Sequence, residues 1–168
     1  MGDGVEIRSL GGLEVGADRV GDREQSGLGV SVVGNPEDLG GQGYVEEEFF
    51  LQGQGYRYNT PLVNSNTNAS KILTGGTGND GLYPFKTRIV VRRPTNPADA
   101  NGVVVAEWNN VTSTQDVEFN WFGDPYFLLK NGYTFVGVTA QTTGVNSLKA
   151  FDNGKLDGTR YGSLGLVA

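Results

Sequence analysis

Two stretches constrain the fold more than anything else in these 168 residues. Val103-Val104-Val105-Ala106 is apolar on successive positions, and Tyr133-Thr134-Phe135-Val136-Gly137-Val138-Thr139-Ala140 is similar. A strand that is apolar on both faces has to be covered on both sides. Between the two runs, residues 119–131 read as helix. Asp124-Pro125 supplies an N-cap and a first-turn proline for at least its second half, and Asn131-Gly132 supplies the C-terminal stop. Phe122, Tyr126 and Leu129 fall at i, i+4 and i+7, so this stripe is expected to face the sheet. A strand–helix–strand unit normally closes right-handed with its strands parallel. The fold class expected is therefore α/β.

Further strands are expected upstream. From Tyr44, Val45, Glu47, Phe49 and Leu51 alternate with Glu46, Glu48, Phe50 and Gln52, the period of a strand, until Gly53 and Gly55 break it. Glu46-Glu47-Glu48 reads as a solvated strand edge that discourages pairing. Residues 56–83, with clusters of Asn, Ser, Thr and Gly, read as a long irregular connection with a short strand near Ile72-Leu73. Another strand is expected over 87–93, with Ile89, Val91 and Arg93 on one face and Arg88, Val90 and Arg92 on the other; Pro94 and Pro97 stop it. Asn101-Gly102 marks a tight turn. Residues 1–42 form a Gly- and acid-rich leader, read as loosely ordered, and 43–168 the domain proper.

Composition narrows the chemistry. The chain has neither cysteine nor histidine, which removes disulfides, thiolate metal sites, a cysteine nucleophile and the commonest general base. Residues 1–48 hold eleven acids against three bases, and the rest eight against ten. An acidic chain without a basic stripe argues against nucleic acid as a partner. No apolar run approaches the ~20 residues of a membrane span, and the first thirty residues lack a signal-peptide core. A soluble protein, cytoplasmic by default and without a membrane partner, is the expectation.

Five blocks carry a resemblance. They are Gly43-Tyr44-Val45-Glu46-Glu47-Glu48; Pro84-Phe85-Lys86-Thr87-Arg88-Ile89-Val90-Val91-Arg92-Arg93-Pro94; Val105-Ala106-Glu107-Trp108-Asn109-Asn110-Val111; Gly132 to Gln141; and Arg160-Tyr161-Gly162-Ser163-Leu164. In this order and at about this spacing the chain resembles poorly characterised bacterial and fungal members of the α/β-hydrolase superfamily. The resemblance implies the first half of a hydrolase sheet, strands one to four and helix A, truncated before the nucleophile elbow. It implies an esterase-like serine hydrolase fragment acting on ester or amide substrates and inactive alone. In that fold the third strand lies between the fourth and fifth, so Val103–Glu107 should pair with a strand not found here. Pairing with a missing C-terminal half, or self-association, is then expected. A complete, half-sized relative is the alternative to a truncated or split protein.

No window fits the elbow G-x-S-x-G, in which small residues relieve a crowded turn. Gly29-Val30-Ser31-Val32-Val33 has valine for the second glycine, and Tyr161-Gly162-Ser163-Leu164-Gly165 has tyrosine for the first. Both serines read as turn or loop residues, and no catalytic residue is assigned in this chain. The resemblance does place a loop at Trp108-Asn109-Asn110-Val111-Thr112-Ser113-Thr114 where hydrolases keep one oxyanion-hole amide, with Asn109 and Asn110 as candidates. The bland alternative is that both asparagines simply end a strand. Asp116, Glu118 and Asp124 read as acids favouring a helix start. Gly75-Gly76-Thr77-Gly78-Asn79-Asp80-Gly81-Leu82-Tyr83 fits the calcium nonapeptide, with Asp80 as ligand, but a single copy cannot stack. No cofactor and no metal is expected. The rival function is a non-catalytic Gly/Asn-rich β-domain binding calcium or carbohydrate.

Overall fold

The computed structural model describes residues 5–7, 15–22, 38–59, 70–72, 82–155 and 159–166. Its elements run β1 (Val5–Ile7), β2 (Val15–Asp22), β3 (Tyr44–Asn59), β4 (Ser70–Ile72), β5 (Leu82–Pro94), β6 (Val104–Trp108), α1 (Phe119–Gly123), α2 (Pro125–Lys130), β7 (Thr134–Val138) and α3 (Thr142–Lys155). The strands form one mixed sheet in the order β1-β2-β3-β5-β7-β6, with β4 paired to β3 off that path. Strands β6 and β7 are parallel and all other neighbours antiparallel. The expected α/β unit is present: β6, two short helices, then β7 in register from Val104↔Thr134 to Trp108↔Val138.

Several upstream expectations change. The glycines at 53 and 55 do not end β3; they pair with Phe85 and Tyr83, because the long partner strand supplies the ladder that overrides their weak strand preference. Strand β3 runs on to Asn59, inside the stretch read as an irregular connection. Strand β4 lies at the short strand expected there, and Leu82 and Tyr83 already belong to β5. Within the supposed leader, β2 pairs with β3 from Gly16↔Gln52 to Asp22↔Glu47, and β1 pairs with β2. Strand β3 is thus flanked on both sides. Glu46-Glu47-Glu48 is no solvated edge: Glu47 and Glu48 are buried.

The register explains where those acids go. Tyr44, Glu46, Glu48 and Phe50 share a face with Arg88, Val90 and Arg92 of β5, Phe135 of β7, and Val105 and Glu107 of β6. This is the better-covered face. At one end Trp121, Leu128 and Leu129 of α1 and α2 pack with Leu39, Tyr44 and Phe135. At the other, Val145 and Leu148 of α3 pack with Phe50, Tyr161 and Leu164. Between these apolar clusters the acids and arginines neutralise one another. Arg88 Nε donates to Glu48 Oε1 at 2.5 Å, and Arg92 donates to Glu46 at 2.7 Å and Glu118 at 2.6 Å. The Arg92 guanidinium also lies 4.5 Å from the centre of the Trp121 ring, a cation–π contact.

The single helix expected over 119–131 is two. Asp124, extended at φ −156°, ends α1 and caps α2 by accepting from the Phe127 amide at 2.9 Å. The break rotates the helical stripe, so Trp121, Leu128 and Leu129 are buried whereas Phe122 and Tyr126 are exposed. The turn signals hold: Gly102 and Gly132 adopt φ of 81° and 71°. A side chain at Gly132 would also run into the Asp99 carbonyl.

Candidate functional site

In open sheets with parallel strands, ligands bind at the carboxyl ends of the strands. Here those ends are Trp108 and Val138, and the following segments, 109–118 and 139–141, lie together. Asn109 N donates to Val138 O at 3.0 Å, extending the ladder by one residue. Asn110 and Val117 exchange backbone hydrogen bonds of 3.0 and 2.7 Å, closing 111–116 into a loop. Within it the Asn110 side chain accepts from Thr112 N at 2.8 Å. Thr114 stands at φ +66°, a costly conformation for a β-branched residue and one that concentrates at functional sites.

Beneath the loop the polar groups are buried. Asp116, 3% exposed, accepts a hydrogen bond from the Thr139 hydroxyl and lies 3.9 Å from Arg88. The Thr139 backbone is itself held by β5: its amide donates to Arg88 O, and its carbonyl accepts from the Thr87 hydroxyl. Gln141 donates to Asn109 O at 3.1 Å. Burial pushes the Asp116 carboxyl above its ordinary pKa; the Thr139 hydrogen bond, Arg88 and the neighbouring Asn109 amide pull it back only in part. Asn109 is 1% exposed, and both atoms of its amide group, like Asp116 Oδ1, lack a hydrogen bond of good geometry among the described residues. Two glycines make room for these acids. A side chain at Gly144 would overlap Asp116 Oδ1, and one at Gly137 would overlap Glu118 Oε1.

Glu107, the last buried residue of β6, sets the following helix. Its carboxylate accepts from Asn120 N at 3.0 Å, supplying the cap that Glu118 does not make. Burial raises its pKa, against the helix amides of Asn120, Phe119 and Trp121. A second buried carboxylate, Glu48, gathers the other end of the sheet. It accepts from Arg88, from Arg160 and, at 2.8 Å, from the Tyr161 hydroxyl. For Arg88, burial favours the neutral form, but Glu48, Tyr161 and Glu118 outweigh it and raise the pKa further.

The expected site residues therefore come out as follows. Asn109 and Asn110 do sit in the loop after β6, but their backbone N–H groups already donate to the Val138 and Val117 carbonyls. Among the amides of 109–114, those of Val111 and Ser113 have no acceptor among the described residues. Glu118 does stand at the start of α1, as its N-cap residue, with Asp116 two residues before it; both are buried and hydrogen-bonded, since the loop folds back under β7 and β5. Ser163 is exposed in a turn. Ser31, Asp80 and residues 75–81 of the nonapeptide lie outside the described residues. Among the described residues no group of three metal-ligating side chains comes together, and no helix is long and apolar enough to cross a membrane. Asp116, Thr139 and the Glu48 cluster were missed as site elements. One signal was available: three of the five resemblance blocks meet at Glu48, Arg88 and Arg160-Tyr161, and the other two at Asn109 and Thr139.

An open sheet with a braced loop at its parallel strand ends defines a protein of the α/β class with a strand-end site. The family model of the alpha/beta hydrolase domain matches residues 15–168, and the chain belongs to that family. The match begins at β2, within the segment expected to be a leader. No curated protein and no solved structure matches the chain. Membership makes the protein a hydrolase-superfamily member and does not favour the calcium- or carbohydrate-binding alternative.

Proposed function

We propose that this chain forms the oxyanion side of an esterase-like serine-hydrolase site, with ester or amide substrates, and is inert without a nucleophile and histidine from further polypeptide. The observation that carries the reading is the loop after β6. It is fixed at both ends by the backbone bonds of Asn109 and Asn110, braced by Asp116–Thr139, and strained at Thr114. A rigid loop is what a preorganised donor requires, because a donor that must reorganise loses most of its value in the transition state. The donor is assigned to the Val111 or Ser113 amide, in place of Asn109 or Asn110, whose N–H groups are already used. No histidine is available to serve Ser163 as the base of a conventional triad, since the 168 residues contain none.

The test is reconstitution. The chain is co-expressed with the C-terminal part of another family member that carries an elbow serine and a histidine, and hydrolysis of a short acyl ester is followed. Activity is expected from the pair and from neither part alone. Replacing one oxyanion donor costs about 100- to 1000-fold in kcat in well-studied hydrolases, so Ser113→Pro or Val111→Pro should show a loss of that order. Ester hydrolysis by the chain alone that disappears in Ser163→Ala would overturn the reading.

A further inference from the structure

The loop after β6 needs more than its two end bonds to hold a direction. The bond from Asn109 N to Val138 O and the Asn110–Val117 bridge fix its base, and a loop pinned only at its base can still swing about it. Inside the loop, Thr112 N donates to the Asn110 side chain and Thr114 N to Val111 O. These bonds shape the loop without attaching it to anything else. Asp116 differs. Among the described residues it is the one member of 111–116 that is buried, and the one whose polar contacts leave the loop.

What Asp116 attaches to is itself held. Its donor Thr139 is fully buried at the carboxyl end of β7, and both its backbone groups are bound to β5: the N–H donates to Arg88 O, and the carbonyl accepts from the Thr87 hydroxyl. The other carboxylate oxygen of Asp116 lies against Gly144, in the first turn of α3, where a side chain would overlap it. The first N–H groups of a helix have no intrahelical acceptor and carry partial positive charge, which favours an acid there. One carboxylate thus joins the loop, the end of β7 and the start of α3. Arg88 is no replacement for Thr139, since it stands 3.9 Å from Asp116 and gives its Nε to Glu48.

We propose that Asp116 and Thr139 are positioning residues: the Thr139 hydroxyl, set by the sheet, holds the Asp116 carboxylate, and Asp116 fixes the direction in which the Val111 and Ser113 N–H groups point. The proposal rests on the reading of this loop as the oxyanion donor. Neither residue touches substrate; both act through the loop. A misplacement of about 1 Å can cost on the order of 100-fold in rate. The oxyanion exists only in the transition state, so the loss falls on kcat and leaves KM unchanged.

Amide exchange on the purified chain tests the clamp without any turnover. Thr139→Val removes the donor and nearly keeps the shape. The bonded N–H groups of Asn110, Thr114 and Val117 should then accelerate about tenfold more than those of Val90 and Val91 in the sheet, and Thr139→Ser should restore the parent pattern. Asp116→Ala with Thr139→Val removes both partners and leaves no unpaired group buried; its loop should stay as fast. Should Thr139→Val not fold, the double variant carries the measurement. In the reconstituted pair, Thr139→Val should lower kcat by about 10- to 100-fold at unchanged KM, with recovery in Thr139→Ser. Parent-like loop exchange in Thr139→Val or in the double variant, or a kinetic change confined to KM, would each overturn the proposal. A parent pair that hydrolyses no ester defeats the donor reading instead, and exchange in the same loop still decides whether Asp116 and Thr139 hold it.

Discussion

Replacing Glu48 by glutamine isolates the charge at the centre of the sheet while keeping its volume. The carboxylate is fully buried, 2.5 Å from Arg88 Nε, and Arg88 is itself 2% exposed. Breaking a buried pair by removing one partner costs about 3–5 kcal/mol, because the other charge stays buried and uncompensated. Two features place this variant near the low end. The glutamine carbonyl still accepts one hydrogen bond, and Arg160, a third exposed, can turn toward water. Asp116 at 3.9 Å is a poor substitute counterion for Arg88, since it is already engaged by Thr139. We expect Glu48→Gln to lose about 3 kcal/mol, and at ~2–4 °C per kcal/mol for a chain of this size to melt roughly 6–12 °C lower. Urea titration should show a lower midpoint with an unchanged slope. Glu48→Leu combined with Arg88→Met should recover most of the loss, as apolar replacement of whole buried pairs does. A Glu48→Gln loss below ~1 kcal/mol, the range of exposed ion pairs, would refute the buried network and with it the register of β3 against β5.

Glu107→Ala should destabilise the chain by about 1–2 kcal/mol through loss of the α1 cap, read by thermal melting. Gly144→Ala should cost more than the ~1 kcal/mol usually gained from Gly→Ala in a helix, because the new methyl overlaps Asp116; combining it with Asp116→Ala should relieve most of the penalty. Burial raises the folded-state pKa of Asp116, so the folded chain binds that proton more tightly than the unfolded one. Its contribution is fully present below the unfolded value of ~3.9 and is lost as pH rises through the raised folded value. The stability of Asp116→Asn relative to the parent should therefore improve between pH 4 and pH 7 in parallel urea melts, and a difference that is flat or opposite in sign would contradict the assignment. Millimolar Ca²⁺ should leave the Tm unchanged; a site filled at a hundredfold excess over its Kd would add ~2.7 kcal/mol, and a shift abolished by Asp80→Ala would revive the nonapeptide as a ligand site.

What the sequence by itself determined is local chemistry. The two apolar runs at 103–106 and 133–140, the Asp124-Pro125 cap, and the glycines at 102 and 132 each state a preference that needs no distant partner, and each forms its expected element; the expectation that 103–106 is covered on both faces is not met, since Val103, Val104 and Ala106 are exposed at the last strand of the described sheet. The absence of histidine and cysteine likewise restricts the mechanism before any fold is known. Tertiary structure alone decided which face of β3 is inside. Alternation separates Glu46, Glu48 and Phe50 from Val45, Phe49 and Leu51, and hydropathy puts the second set in the core. The sheet does the reverse, because a carboxylate's burial is favourable only when a guanidinium lies within hydrogen-bond reach, and Arg88, Arg92 and Arg160 come from positions 40 or more residues away. The same holds for the site. That a loop follows β6 is legible in the sequence; that the Asn109 N–H is taken by Val138 follows from the register of β6 against β7, and that Asn110 pairs with Val117 and Asp116 is clamped by Thr139 follows from how the loop folds back, none of which a local pattern encodes.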